Sequence, residues 1–392
     1  MTDSSPLLMI PGPVEISPGV RDAAAAPPRG HTTPRLIEAF ATCLERMRQV
    51  WRAAESSQPF LLAGSGTLAM EMAASNLIEP GERALVVNSG YFSDRMVEIL
   101  RRYGAEVTEV KAEVGAAPDP EAVRQALERD EPVKALFATH VDTSTGVRLD
   151  PEPLCRLGRE AGALSVFDGV CATAGERFDM EDWGADLYFT ASQKAIGLPP
   201  GLALLVVSER AMAIRAVRSA TPPPLYLDWN TWLPIHRAYE DGRPSYFATP
   251  ATSLVMALET GLGEILEQGV EERIAAHARA AAGMRAAWQS LGLCAVPRSE
   301  GETANTLSAL LYPEGVDASL LPRIAARGVI VAGGLHPAVR TTSFRVGHMG
   351  YSATQPEHLQ RTVEAIAGAL AESGAPADAG AAVAALERRI RP

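Results

Sequence analysis

Between Arg83 and Gly169, short apolar runs alternate with stretches of helical period, and this alternation constrains the fold more than any other feature. "RALVVNS" (83–89) has the length and β-branched content of a buried strand. "SDRMVEILRRYG" (93–104) then places apolar residues at helical spacing, with Ser93 as its expected N-cap and Gly104 as its terminator. The pattern repeats as strand "EVTEVKA", helix "DPEAVRQALERD", strand "VKALFATH", helix "PEPLCRLGREAGA" and strand "LSVFDG". Two further apolar runs follow, "ADLYFTAS" (185–192) and "LALLVVS" (202–208). Strands joined through helices cannot pair as tight hairpins, so the expected fold class is α/β, with a mainly parallel sheet and helices on both faces.

On either side of this block the organisation differs. A Pro/Gly-rich arm leads into "LIEAFATCLERMRQVWRAA" (36–54), which has helical spacing, and "GSGT" (64–67) opens the apolar helix "LAMEMAASNLI". After about Thr249 comes one long Ala-rich helical stretch ending at "WQSLG", with a break expected near Gly269. Strand "TLSALLY", helix "DASLLPRIAARG", short strands "VIVAG" and "SFRVG", and an amphipathic helix from about Gln355 to Leu370 complete a compact α+β unit. "SGAPADAGAA" (373–382) reads as a low-complexity linker to a last short helix. A chain of 392 residues is too long for one small core. The expected division is an arm at 1–20, a large domain at 21–252, a small C-terminal domain at 253–372 that includes the connecting helix, and a tail at 373–392.

Several function classes are disfavoured. A net charge of -11 argues against nucleic acid, which needs a basic face. No apolar run approaches the roughly 20 residues of a membrane span. "MTDSSPLLMIPGPV" lacks the basic and apolar regions of a signal peptide, and "RRIRP" is not a peroxisomal address of the SKL type. Cys43, Cys155, Cys171 and Cys294 form neither a metal-ligand spacing nor a disulfide framework, so no metal and a reducing cytoplasm are the expectations.

The polar residues worth weighing lie at the carboxyl ends of the strands, where open α/β sheets gather ligands. "GSGT" offers backbone N–H groups at a helix N-terminus, a place for an anion, although Gly-Ser-Gly is also a common tight turn. It lacks the spacing of the dinucleotide fingerprint. Asp168 ends an apolar strand, where a carboxylate needs a partner; it reads either as a turn residue or as the counter-ion of a protonated ring nitrogen. "THVDTSTGV" (139–147) crowds His140, Asp142, Thr143, Ser144 and Thr145 at another strand end. Lys194 stands one step past "ADLYFTAS", where a desolvated amine of lowered pKa forms a Schiff base with an aldehyde. A phosphate cradle, a ring-nitrogen carboxylate and a later lysine together describe pyridoxal 5'-phosphate, PLP.

At these residues the chain resembles the class V aminotransferases of fold type I, and among them the alanine–glyoxylate and serine–pyruvate group. The likeness runs from "PGPV" (11–14) and "GSGTLAMEMAASNLIEPGERALVVNSGYFSDR" through "THVDTSTGV", "FDGV", "SQKA" and "PPG" to "YFATP" and "FRVGHMGY". The resemblance implies that Lys194 holds PLP and shuttles protons, and that Asp168 keeps the ring nitrogen protonated. It implies that Phe92 stacks on the ring, Thr143 reaches its phenolic oxygen, and Ser65, Gly66, Thr67 and Gln193 serve the phosphate. Tyr246 and Thr249 match positions that contact the phosphate of the other subunit, which implies a homodimer with shared active sites. Arg345 would anchor the substrate carboxylate, covered by backbone groups of "PGP" around Gly12. The implied activity passes the amino group of alanine or serine to glyoxylate or pyruvate. Ureidoglycine–glyoxylate and 2-aminoethylphosphonate–pyruvate transamination are the alternatives. A desulfurase-type lyase is disfavoured because no cysteine is expected near Arg345, and a non-catalytic protein because Lys194 and Asp168 are both present. The chain departs from the family pattern at "FDGVCAT", at Gly197 where relatives carry Asn, at "HTTPRL" and at "MGYS".

Overall fold

The computed structural model describes residues 5–128, 131–218 and 222–390. Residues 1–4 of the expected arm, the last two of "DPEAVRQALERD" and the final two of "RRIRP" lie outside the described residues. The strands in chain order are β1 (Leu7–Leu8), β2 (Gln58–Ala63), β3 (Arg83–Asn88), β4 (Glu106–Lys111), β5 (Ala135–Thr139) and β6 (Leu164–Asp168). They continue with β7 (Leu187–Ala191), β8 (Leu202–Val207), β9 (Leu307–Leu311), β10 (Val329–Ile330), β11 (Ala332–Gly333) and β12 (Ser343–Gly347).

Seven of them make one sheet in the order β2-β8-β7-β6-β5-β3-β4. The expected parallel pairing holds from β4 through β7. β8 runs antiparallel to both β7 and β2. The reason is local: β7 and β8 are joined by a turn without a crossover helix, and that turn carries Lys194. β2 is an addition to the sequence reading. Both faces of the sheet are buried with a period of two. Leu85, Val87, Leu202, Leu204 and Val206 enter one core, while Ala84, Val86, Ala203, Leu205 and Val207 enter the other. Strands buried on both faces read as continuous apolar runs, which is what made them visible.

A second, antiparallel sheet, β11-β12-β9, shares a separate core with the helices Val270–Ser290, Pro356–Glu372 and Ala379–Ile390. The long helical stretch breaks at Gly269, whose φ of +86° lies in the left-handed region, giving the helices Thr252–Gln268 and Val270–Ser290. The expected linker is shorter than read, because the last helix begins at Ala379. That helix is integral to the small core: a Cβ on Gly283 would lie 2.7 Å from Ile390 and 2.8 Å from Leu386. The arm is tied to the same region, β1 pairing in parallel with β10 and the Gly347 N–H donating to the Met9 carbonyl at 2.7 Å. Among the described residues no helix is long and apolar enough to cross a membrane.

A further boundary differs from expectation. The helix after β3 starts at Tyr91, with Gly90 rather than Ser93 as N-cap. Its first-turn N–H groups are satisfied from another loop: Phe92 N–H donates to the Asp142 carboxylate at 2.9 Å and Tyr91 N–H to the Ser144 hydroxyl at 3.1 Å. Ser93 is buried inside the first turn, its hydroxyl 3.0 Å from that of Thr139. A cap supplied from a residue distant in sequence leaves no trace in the local pattern.

Candidate active site

The carboxyl ends of β5, β6 and β7 lie side by side, Thr139 in register with Asp168 and Asp168 with Phe189. They frame a cavity of about 160 Å³. Ser65, Gly66 and Thr67 reach it from the start of the helix Gly66–Leu77, Phe92 and Thr143 from one side, and Asp168, Gln193 and Lys194 from the sheet. Met70, Arg95, Val141 and Val170 also line it and were not singled out from the sequence. Larger cavities exist elsewhere, one of about 310 Å³ beside Trp288 and another of about 610 Å³ around Asp150. The smaller one holds the paired chemistry, an amine and a carboxyl buried in the same space.

Lys194 is almost fully buried and its Nζ donates to the Pro11 carbonyl of the arm. Burial holds the amine below its ordinary pKa; the Arg345 guanidinium lowers it further, against the opposing influence of Cys171 and Asp168. Gly12 makes this contact possible. With φ at +92°, it brings the arm so close that a Cβ would lie 2.6 Å from Lys194 Cδ and 2.8 Å from the Gln193 carbonyl.

Asp168 is buried, and one oxygen accepts the Val170 N–H at 2.8 Å. Burial pushes its carboxyl up to about 7, with the nearby Asp142 charge adding to the effect. The Val170 bond, Lys194 and Arg95 pull the other way without cancelling it. A carboxyl poised there takes up a cationic N–H partner readily.

Arg345 lies in β12 and crosses to the large sheet. Its Nε donates to the Gly333 carbonyl at 2.9 Å and its Nη1 to the Thr143 carbonyl at 3.2 Å. Among the described residues no carboxylate lies within ion-pair distance of it, and burial lowers its pKa. A guanidinium oriented by carbonyls and lacking an acid is prepared for a ligand carboxylate.

The structure corrects one exclusion. Cys171, in the turn after β6, is buried, and electrostatic coupling links it to both Lys194 and Arg345. The expectation of no cysteine near Arg345 therefore fails, because a turn brings together residues far apart in the chain. The thiol nevertheless suits a lyase poorly. Burial raises its pKa, and it is packed 3.8 Å from the Thr306 hydroxyl.

Two departures from the family pattern also gain a physical account. At Gly169 a Cβ would sit 2.0–2.4 Å from the Tyr188 ring and hydroxyl, so Tyr188 occupies the space that a larger residue at 169 would need. Gly197 has φ at +81°, a region that Asn tolerates as well as Gly. Tyr246 and Thr249 do not join this cavity; they are solvent-facing, their hydroxyls 3.5 Å apart.

The cavity fits a phosphorylated pyridine aldehyde. Ser65 makes no side-chain cap, so the N-terminus of the helix Gly66–Leu77 is open to an anion. Gly66 sits so near the end of β6 that a Cβ would meet Val170 at 2.9 Å. Among the described residues the buried Gln193 Oε1 has no hydrogen-bond partner.

Comparison with known proteins agrees. The family model described as aminotransferase class V matches residues 21–354. Alanine–glyoxylate aminotransferase 1 of Saccharomyces cerevisiae is 36% identical over 365 residues, covering 90% of this chain and 94% of that protein. Serine–glyoxylate aminotransferase of Arabidopsis thaliana is 31% identical, covering 88% and 85%. The crystal structure of ureidoglycine–glyoxylate aminotransferase from Bacillus subtilis superposes with a TM-score of 0.89 at 25% identity, covering 98% of this chain and 97% of that one.

Proposed function

We propose that this chain, which belongs to the class V aminotransferase family and is a PLP-dependent transaminase of fold type I, moves the amino group of alanine or serine to glyoxylate or pyruvate. The observation that carries this reading is the shared cavity, in which the Lys194 amine and the Asp168 carboxyl meet beside a guanidinium, Arg345, that has no acid partner among the described residues.

PLP, when bound, supplies an electrophilic aldehyde and a ring that takes up the electron pair released as a substrate C–H bond breaks. The residues around it divide the remaining work. Burial lowers the Lys194 pKa, which favours its Nζ as the group that takes a proton from the substrate carbon and returns one. Asp168 holds the ring N–H. Phe92 would pack on the ring face, Thr143 would serve its phenolic oxygen, and Ser65, Gly66, Thr67 and Gln193 would receive the phosphate. Arg345 and the backbone around Gly12 orient the substrate carboxylate and leave room for two- and three-carbon acids. Tyr246 and Thr249 serve the phosphate of a second copy of the chain, which makes the active unit a homodimer. The arm, large-domain and small-domain boundaries at 20 and 252 frame this arrangement, and the helix Ala379–Ile390 joins the small domain rather than forming a tail after 372. Cys43, Cys155 and Cys171 are unpaired thiols in the interior, in keeping with a cytoplasmic protein.

The test is a substrate panel. Alanine, serine and ureidoglycine are offered as donors, with glyoxylate and pyruvate as acceptors. Turnover of alanine or serine with glyoxylate supports the reading, and borohydride reduction of the loaded enzyme should attach the cofactor to Lys194. Turnover confined to ureidoglycine, a donor named in the Bacillus subtilis relative, would overturn the donor assignment.

A further inference from the structure

Arg95 plays no part in the roles above, yet it lines the cofactor cavity. It lies one turn into the helix Tyr91–Arg102, its guanidinium carbon 5.0 Å from the Phe92 ring centroid and 5.1 Å from that of Tyr91. Its Nη1 donates to the Thr67 hydroxyl at 3.2 Å and its Nη2 to the Tyr91 hydroxyl at 3.2 Å. Among the described residues no carboxylate lies within ion-pair distance of it. Thr67 belongs to the first turn of the helix Gly66–Leu77, whose N-terminus has no side-chain cap.

Two positive features therefore meet in a half-buried space: the open end of a helix dipole and a guanidinium without an acid. Such a meeting is repulsive unless an anion lies between them. The Thr67 hydroxyl sharpens the point. Its oxygen accepts from Arg95, so its one O–H proton remains to be donated to a ligand oxygen.

We propose that Arg95 is a phosphate-recognition residue, which brings a full positive charge to the phosphate end of the cofactor directly and through the Thr67 hydroxyl. The inference rests on the PLP reading, and its test separates the two. Cofactor-free wild-type protein, Arg95→Gln and Arg95→Lys are titrated with PLP and with pyridoxal, which has the same ring and aldehyde but no phosphate. Wild type that binds neither compound would sink the PLP reading itself.

Arg95→Gln should bind PLP on the order of tenfold to a hundredfold more weakly, the range for losing a charge-assisted hydrogen bond, while pyridoxal affinity stays within about twofold. Arg95→Lys keeps the charge but not the planar fork and should fall between them. Inorganic phosphate should compete with pyridoxal phosphate on wild type and lose that effect in Arg95→Gln. If PLP and pyridoxal weakened equally, Arg95 would only support the Phe92 platform and the proposal would be wrong. It would be equally wrong if neither affinity moved. Should Arg95→Gln fail to fold, judged by circular dichroism, the PLP-to-pyridoxal ratio of Arg95→Lys decides alone.

Discussion

At Asp168, burial and hydrogen bonding oppose each other, and burial wins, leaving the carboxyl near 7. The consequence for stability has a definite sign. The unfolded carboxyl titrates near about 3.9, so between about pH 4 and pH 7 the native protein retains a proton that the unfolded chain has released. Stability of the cofactor-free protein should therefore fall as pH rises through that window and level off above it. The contribution has a ceiling of about 4 kcal/mol, at roughly 1.4 kcal/mol per unit of pKa difference. Glu176, also buried and also raised to about 7, adds a second slope of the same sign. Asp168→Asn should remove only the first, making the variant more stable than its parent at pH 8 and nearly equal at pH 4, as read by urea melts. The same variant should lose at least about a hundredfold in transamination, because a neutral amide cannot balance a ring N–H charge. A stability gap independent of pH would show that the carboxyl is not perturbed in this way. Asp168 and Lys194 were legible because a charge at the end of an apolar strand is out of place. Arg95 was not, since an arginine on an amphipathic helix reads as solvated surface, and only the fold shows that its turn faces Thr67.

The helix Tyr91–Arg102 shows what a sequence pattern conveys about an element and where it stops. Apolar spacing located the helix, but its start depends on Asp142, which comes from a loop after β5. Asp142 also accepts from Ser144 N–H at 2.9 Å, so one carboxylate fixes both the loop carrying Thr143 and the turn carrying Phe92. Asp142→Ala should cost about 1–2 kcal/mol, the range for losing a helix cap, and should speed hydrogen exchange at the Phe92 amide. Ser93→Ala should leave that amide protected, because Ser93 bonds Thr139 instead. Faster exchange at Phe92 in Ser93→Ala but not in Asp142→Ala would restore Ser93 as the cap. Similar limits explain the other elements missed. β1 has two residues, too few for any period, and the helix Trp229–Glu240 carries Pro234 inside it. The direction of β8 followed from a connection without a helix, information that lies in the turn and not in the strand.

At the scale of the whole molecule, one part of the surface is out of keeping with the rest. Among the described residues the exposed large apolar side chains are Val217, Leu225, Tyr226 and Tyr246, all within one segment, with Leu225 at 67% and Tyr246 at 60% exposure. Tyr226 donates its hydroxyl to the Ala63 carbonyl at 3.3 Å, which sets this segment beside the "GSGT" turn at the edge of the cofactor cavity. Exposed apolar side chains of this kind mark interaction surfaces, and under the proposed roles of Tyr246 and Thr249 the occupant would be a second copy of the chain. In such a dimer cofactor binding and association would be linked, because a ligand held by two chains stabilises their union. Sedimentation at micromolar concentration should find a dimer. Leu225→Glu sits outside the core, so it should leave the fold intact while shifting the protein toward monomer. As the dimer dissociates, PLP affinity should fall by on the order of tenfold or more, and added PLP should shift the association curve back toward lower protein concentration. The sequence already contained this expectation in "YFATP", yet a single chain leaves Tyr246 and Thr249 facing solvent, their hydroxyls near each other and apart from the cavity. Wild-type monomer with undiminished PLP affinity would show that each chain completes its own phosphate site, and would remove the shared-site arrangement altogether.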